Sequence, residues 1–263
     1  MSSSAWRLIG RQMEVQIRVR ALNWTSLLLL VLQPAIFTAV GMLLARAAGQ
    51  MVPDLIYTVI GGGVMGMWSG LVFTSTFDIT RDRRDGTLEL IIGSPTSLHT
   101  VEAIRTLTNV LMGLVSMAVA FVAAMLLFRY SLAGVNTWAV LVSLVVILFA
   151  MWCSGLFLAN FLAWSRLFSS FVDFLEIPVA VLCGFMYPIR VLPEWMQHLA
   201  ALLPLRWAVE GLNAALMGEQ DLHLLLRSWG IALGLAWLVW AGARWLEGKV
   251  HDHIRITGEL NSI

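Results

Sequence analysis

The sequence predicts an all-α integral membrane protein. It should hold six transmembrane helices, an N-terminal interfacial helix, a cytoplasmic helix between the second and third spans, and two short re-entrant outer helices before the last span. Three observations carry this expectation. The chain of 263 residues is 59% hydrophobic and only 13% charged, with a mean hydropathy of +0.81, which is more apolar surface than one soluble core encloses. The apolar residues fall in six runs, each near the roughly 20 residues that cross a hydrocarbon core. The charges cluster between those runs, where they avoid the cost of about 3 kcal/mol or more for a charge at the bilayer centre.

The leader, residues 1–22, places Trp6, Ile9, Met13 and Ile17 on one side of a helix and Arg7, Arg11, Glu14 and Arg18 on the other. Such a helix would lie flat on the membrane with its cationic side toward lipid phosphates; the alternative is a basic flank that orients the first span. No small-residue cleavage pattern follows it, so it is expected to persist in the mature protein. The six spans run from about Trp24 to Ala45, Leu55 to Phe77, Leu107 to Phe128, Trp138 to Leu162, Leu167 to Tyr187 and Trp229 to Leu246.

An even number of spans puts both termini on one side. With the N-terminus inside, 12 of the 17 Lys and Arg residues are cytoplasmic, among them Arg81, Arg83, Arg84 and Lys249, and five are outside. The excess favours this orientation in a cell membrane.

Gly62, Gly66 and Gly70 in the second span give one small residue per turn, a face that lets another helix approach closely. Ser116, Ala120 and Ala124 repeat the spacing in the third span, and Gly230 and Gly234 in the sixth. These faces would meet either within one subunit or between two copies. Residues 78–106 form the cytoplasmic loop. In it, Asp85 is a suitable cap, Gly93, Ser94 and Pro95 are a strong stop, and Leu88, Ile91 and Ile92 share one side of the short helix between them. That apolar side needs cover, from the membrane or from a protein partner.

Residues 188–218 are neither a span nor an ordinary loop. Pro193 suits a helix start with Glu194 at its positive end, and Trp195, Leu199 and Leu202 line one side. Pro204 stops that helix and opens a second, on which Arg206 and Glu210 stand four apart, and Gly218 ends it. Two such helices should dip into the outer leaflet and return, with protein covering their unpaired backbone.

The segment "DGTLELIIGSPTS" resembles the "GTLE-x-L-x-x-SP" stretch between the second and third spans of ABC-2 type transporter permeases. "GFMYPIRVLPEWMQHLAALLPLRWAVEGL" is similar to that family's signature before the last span, and "LQPAIF" around Pro34 to its first span. The resemblance covers essentially the whole of residues 1–263, read as one ABC-2 type transmembrane domain. Leu203 stands where members often have Asn, and the run before Gly86 is richer in arginine than usual, departures that bear on the subfamily and its substrate. The resemblance implies that residues 85–95 form a coupling helix docked on an ATP-hydrolysing subunit, with Asp85, Gly86, Thr87, Leu88, Glu89, Ile92, Ser94 and Pro95 at or beside the contact. It implies an outer gate formed by the two short helices, with Pro188, Leu192, Pro193, Trp195, Pro204 and Trp207. It also implies partners: two ABC ATPase subunits that bind ATP and Mg, and a second permease copy or a related permease. The implied function is outward transport.

The rest of the sequence is compatible with that reading. A phosphate-cradling loop needs G-x-x-x-x-G-K-[ST] after a strand, and Gly242 through Gly248-Lys249-Val250 has neither the spacing nor the hydroxyl. The chain is therefore expected to be a non-catalytic subunit with no cofactor of its own. No basic groove for nucleic acid is visible. Cys153 and Cys183 read as small buried hydrophobes, and His251 and His253 are a weak metal pair. Gln33, Ser69, Asn109 and Asn160 are expected to hydrogen-bond between helices, while Asp173 and Glu176, near the cytoplasmic start of the fifth span, should meet Arg166, water or a neighbouring helix. With no charged ring or ladder, the apolar lining fits a drug, a natural product or a lipid conjugate better than a small ion. Competing readings are an ion-gradient-driven secondary transporter, which would prefer inverted repeats and mid-depth broken helices, and a membrane enzyme, which would need convergent reactive groups.

Overall fold

The computed structural model describes residues 10–18, 24–47, 52–84, 98–128, 136–164, 172–219 and 221–257. Every regular element among them is helical. Residues 10–18 form α1; α2 is Trp24–Ala47, α3 Val52–Arg84, α4 Leu98–Phe128, α5 Thr137–Trp164 and α6 Val172–Leu182. A 3-10 turn at Ile189–Val191 leads to α7, Glu194–Ala200, then α8, Pro204–Leu216, and α9, Leu222–Thr257. Asp85, Gly86, Thr87, Leu88, Glu89, Ile92, Ser94 and Pro95 lie outside the described residues, as do Trp6, Ile9 and Arg166.

Among the described residues, three helices are long and apolar enough to cross a membrane: Thr100–Leu126 in α4, Thr137–Phe161 in α5 and Leu222–Lys249 in α9. The α7–α8 pair passes the same test as one unit despite a bend of 96° between its members. Shorter apolar stretches, Leu30–Leu43 and Thr58–Thr74, lie within α2 and α3.

The helix boundaries differ from the sequence expectation where backbone chemistry overrides hydropathy. α3 continues past Phe77 to Arg84, an extension that the charged run from Arg81 leaves open, because nothing in the polar run breaks a helix. α9 begins seven residues before Trp229 and runs well beyond Leu246. α6 ends at Leu182 instead of Tyr187, because Gly184 adopts φ +63° and closes the helix. Its N–H donates to the Val181 carbonyl and the next N–H, of Phe185, to that of Ala180, the paired bonds of a left-handed C-terminal cap. Gly218, with φ +75°, ends α8 by the same two bonds, to Ala215 and Ala214.

At the centre stands α3, against which α2, α4, α5 and α6 all pack. Residues 58–69 are buried on every side, so this stretch reads as continuously apolar or small rather than amphipathic. Its glycines set the close approaches. A Cβ at Gly62 would collide with Thr38 of α2, and one at Gly66 would lie 2.9 Å from Pro34 and 3.0 Å from Ser116 of α4. Gly63 faces Met117 and Ala120. This glycine face thus meets two helices of the same chain, whereas a Cβ at Gly70, Gly230 or Gly234 would meet no other side chain or helix within 4 Å. Gly61 is the least forgiving case, because a Cβ there would run into backbone, the carbonyl of Phe185 just past the α6 cap. α5, α8 and α9 form the other half of the bundle and share one continuous core with α3. Cys153 and Cys183 are both free and buried in that core.

Candidate functional site

The segment before α9 is built by its prolines. Pro193 has no N–H to lose at the start of α7, and Pro204 opens α8 after a break of three residues. The break is held by side chains: Trp207 Nε1 donates to the Ala201 carbonyl at 3.0 Å, and the Arg206 guanidinium lies 4.3 Å over the Trp207 ring. Arg206 also faces Glu210, with Nε 3.8 Å from Oε2, across one turn of α8. Gln197 Nε2 reaches back to the Leu192 carbonyl at 2.7 Å. Of the residues expected at an outer gate, Pro204 is buried, Pro188, Leu192 and Trp207 are half-buried, and Pro193 and Trp195 are exposed. The two tryptophans therefore differ: Trp207 is fixed in the corner and Trp195 is free of it.

Beneath this corner is a neutral polar junction. Ser143 Oγ of α5 donates to the Gly211 carbonyl of α8 at 3.2 Å and accepts from Trp229 Nε1 of α9 at 2.9 Å. All three helices are tied at one hydroxyl. Sequence reasoning did not find this junction; the signals were a serine inside an apolar run and a glycine inside an amphipathic helix.

A second polar junction lies on the other side of α3. Ser69 Oγ donates to Glu176 Oε1 of α6, and Gln33 Nε2 of α2 approaches both Ser69 Oγ, at 2.9 Å, and Glu176 Oε1, at 3.4 Å. Glu176 is 9% exposed. Among the described residues no Lys or Arg pairs with it, and the other Gln33 oxygen, Oε1, is buried without a partner. Gln33 stands nine residues after Trp24, and Ser69 nine residues before Asp78, about 14 Å along each helix at 1.5 Å per residue. Both therefore stand well inside their apolar runs, and Glu176 of α6 meets them there.

The other intramembrane polar residues are glue. Asn109 Nδ2 donates to Thr74 Oγ1 at 2.8 Å, Asn160 Nδ2 to the Ala243 carbonyl at 3.1 Å and Trp152 Nε1 to the Ala103 carbonyl at 3.0 Å. Gln12 of α1 touches the Val101 carbonyl at the start of α4, 3.5 Å away, and Arg18 pairs with Glu14 at 2.6 Å on its exposed side.

Residues 4–217 match the family model of the ABC-2 type transporters, well over half of the chain. The chain belongs to the ABC-2 type transporter family. No curated protein matches it. As an ABC-2 protein it is an ABC transporter permease, a multi-pass membrane protein of a family whose members are typically non-catalytic transmembrane subunits and usually pair with ABC ATPases. In this permease the match runs from the leader to the end of α8, and so takes in both polar junctions apart from Trp229.

Proposed function

We propose that this permease is the membrane half of an ATP-driven exporter that moves a hydrophobic or amphipathic molecule, such as a drug, a natural product or a lipid conjugate, outward across the cytoplasmic membrane. Six spans place both termini in the cytoplasm: α2, α3, α4 and α5, then the fifth span that begins with α6, then α9. Two ABC ATPase subunits bind ATP and Mg, and two permease copies, or one copy with a related permease, form the path. α1 lies on the inner membrane surface. α7 and α8 dip into the outer leaflet, with Pro188, Leu192, Pro193, Trp195, Pro204 and Trp207 forming the outer gate.

The observation that carries this reading is the unbroken course of α3. It is gripped by four helices in the bundle and continues as one helix to Arg84, where the segment "DGTLELIIGSPTS" follows. A rigid lever of this kind would pass movement at Leu88 and Ile92 into the middle of the membrane, because a helix transmits displacement along its axis while packed cores resist continuous deformation. The apolar side of the segment supplies buried contact with the ATPase, and Asp85 and Glu89 supply register.

The test is uptake of a hydrophobic fluorophore into inside-out vesicles holding the permease and its ATPase. Transport should require both ATP and the ATPase, and Leu88→Asp with Ile92→Asp should abolish co-purification of the two proteins. Undiminished association, or uptake driven by a proton or sodium gradient alone, would overturn the reading.

A further inference from the structure

Among the described residues, the Glu176 junction buries a carboxylate among neutral partners. Ser69 and Gln33 both donate to one oxygen, Oε1, which fixes the side chain without neutralising it. Burying a charge without a counter-charge is costly, and in a membrane such a residue marks a functional position by default. The unpartnered Gln33 Oε1 adds a second acceptor at the same place. Two oxygen acceptors, one of them negative, await a donor that carries positive charge.

The surrounding fold gives that donor a seat. α2 and α6 both pack on α3 but make little contact with each other, and Gln33 and Glu176 meet across the line between them. Ile36, one turn from Gln33, and Ile177, next to Glu176, are apolar and exposed, at 49% and 65%. A carboxylate and an amide oxygen set between apolar flanks complement an organic ammonium ion with a greasy body.

We propose that Glu176 and Gln33 are the recognition point for the protonated amine of an amphipathic cargo, and that Ser69 positions Glu176 for it. This rests on the export reading and narrows it, from hydrophobic or amphipathic molecules to organic amines. The body of the cargo lies along Ile36 and Ile177, and its N–H groups bond Glu176 and Gln33 Oε1.

The experiment is equilibrium binding of two probes to the full permease in phosphatidylcholine nanodiscs at neutral pH. Amantadine is a protonated amine on an apolar cage; adamantanol is the same cage with a neutral hydroxyl. The wild-type protein should bind amantadine saturably and at least tenfold more tightly than adamantanol. Glu176→Gln should remove that preference, and Gln33→Leu should weaken amantadine several-fold. The comparison of probes on the wild-type protein stands even if a variant fails to fold. No amine preference in the wild type, no saturable binding, or a Glu176→Gln affinity within twofold of wild type overturns the proposal. So does loss of the preference when phosphatidylethanolamine is added to the disc, which would assign the seat to a lipid amine. Failure here with ATP-dependent uptake intact removes only the amine assignment; amine preference with uptake driven by an ion gradient removes only the export reading.

Discussion

The two polar junctions of this bundle are built from similar parts and end in opposite states. At Ser143 a hydroxyl, a carbonyl and an indole N–H from three helices satisfy one another, every group is neutral, and Ser143 is wholly buried. At Glu176 a hydroxyl, an amide and a carboxylate from three helices also converge, but one charge and one amide oxygen are left over. The first junction is what membrane helices use where lipid provides no hydrophobic drive. The second is costlier than glue needs to be, and stability is commonly given up where a site must bind something. The comparison separates the two junctions by charge: one is neutral throughout, and the other holds a buried carboxylate on neutral donors.

The sharpest way to break the architecture on the Glu176 side is Gly61→Ala. The new methyl group would meet the Phe185 carbonyl, a backbone atom fixed by the cap that ends α6. Relief requires moving α6, and with it Glu176. Overpacking of this kind costs about 3 kcal/mol at the upper end of the usual range, on the order of 10 °C in melting temperature for a chain of this length. A thermal shift assay in detergent or nanodiscs measures it, and a shift under about 2 °C would show that α6 is not pinned there.

Gly211→Ala is the counterpart on the other side and should be milder. Its Cβ would lie 3.0 Å from Trp229 Cδ1 and Nε1, side-chain atoms that yield more readily than backbone. The expected loss is about 2 kcal/mol, with the ring displaced from Ser143. Ser143→Ala should cost about 1 kcal/mol by leaving the indole N–H unpaired. Since both changes break the same bond, the double variant should lose less than the sum of the two. Strict additivity would mean that the hydroxyl and the ring act independently.

The sequence made the bundle legible wherever hydropathy and breakers agree. The α7–α8 corner followed from Pro193, Pro204 and Gly218, because a missing N–H and a left-handed glycine dictate backbone locally. The course of α3 past Phe77 was less legible, since charge ends a membrane span but not a helix. The early end of α6 depended on Gly184, whose positive φ is not distinguishable by composition from the many helical glycines of α3. For the junctions, Gln33, Ser69 and Glu176 each stood out as a polar residue in an apolar run, yet residues 36 and 107 positions apart declare no contact in one sequence. Their meeting is a tertiary fact, set by α2 and α6 docking on the same helix.

Glu176→Gln should have the smallest effect on stability and therefore sharpens the comparison most. The amide keeps an oxygen to accept from Ser69 and Gln33, so the hydrogen bonds that join α2, α3 and α6 persist while the charge goes. Replacing a buried ionic group by a neutral one is often neutral or stabilising, by ~1 kcal/mol at the low end of the observed gains, so the melting temperature should stay level or rise by about 2–4 °C. Glu176→Ala should instead leave the Ser69 hydroxyl without its acceptor, while Gln33 keeps its bond to Ser69, and lower stability by about 1–3 kcal/mol. If the glutamine variant fell as far as the alanine variant, the carboxylate would be part of the glue, and the two junctions would differ in composition but not in purpose.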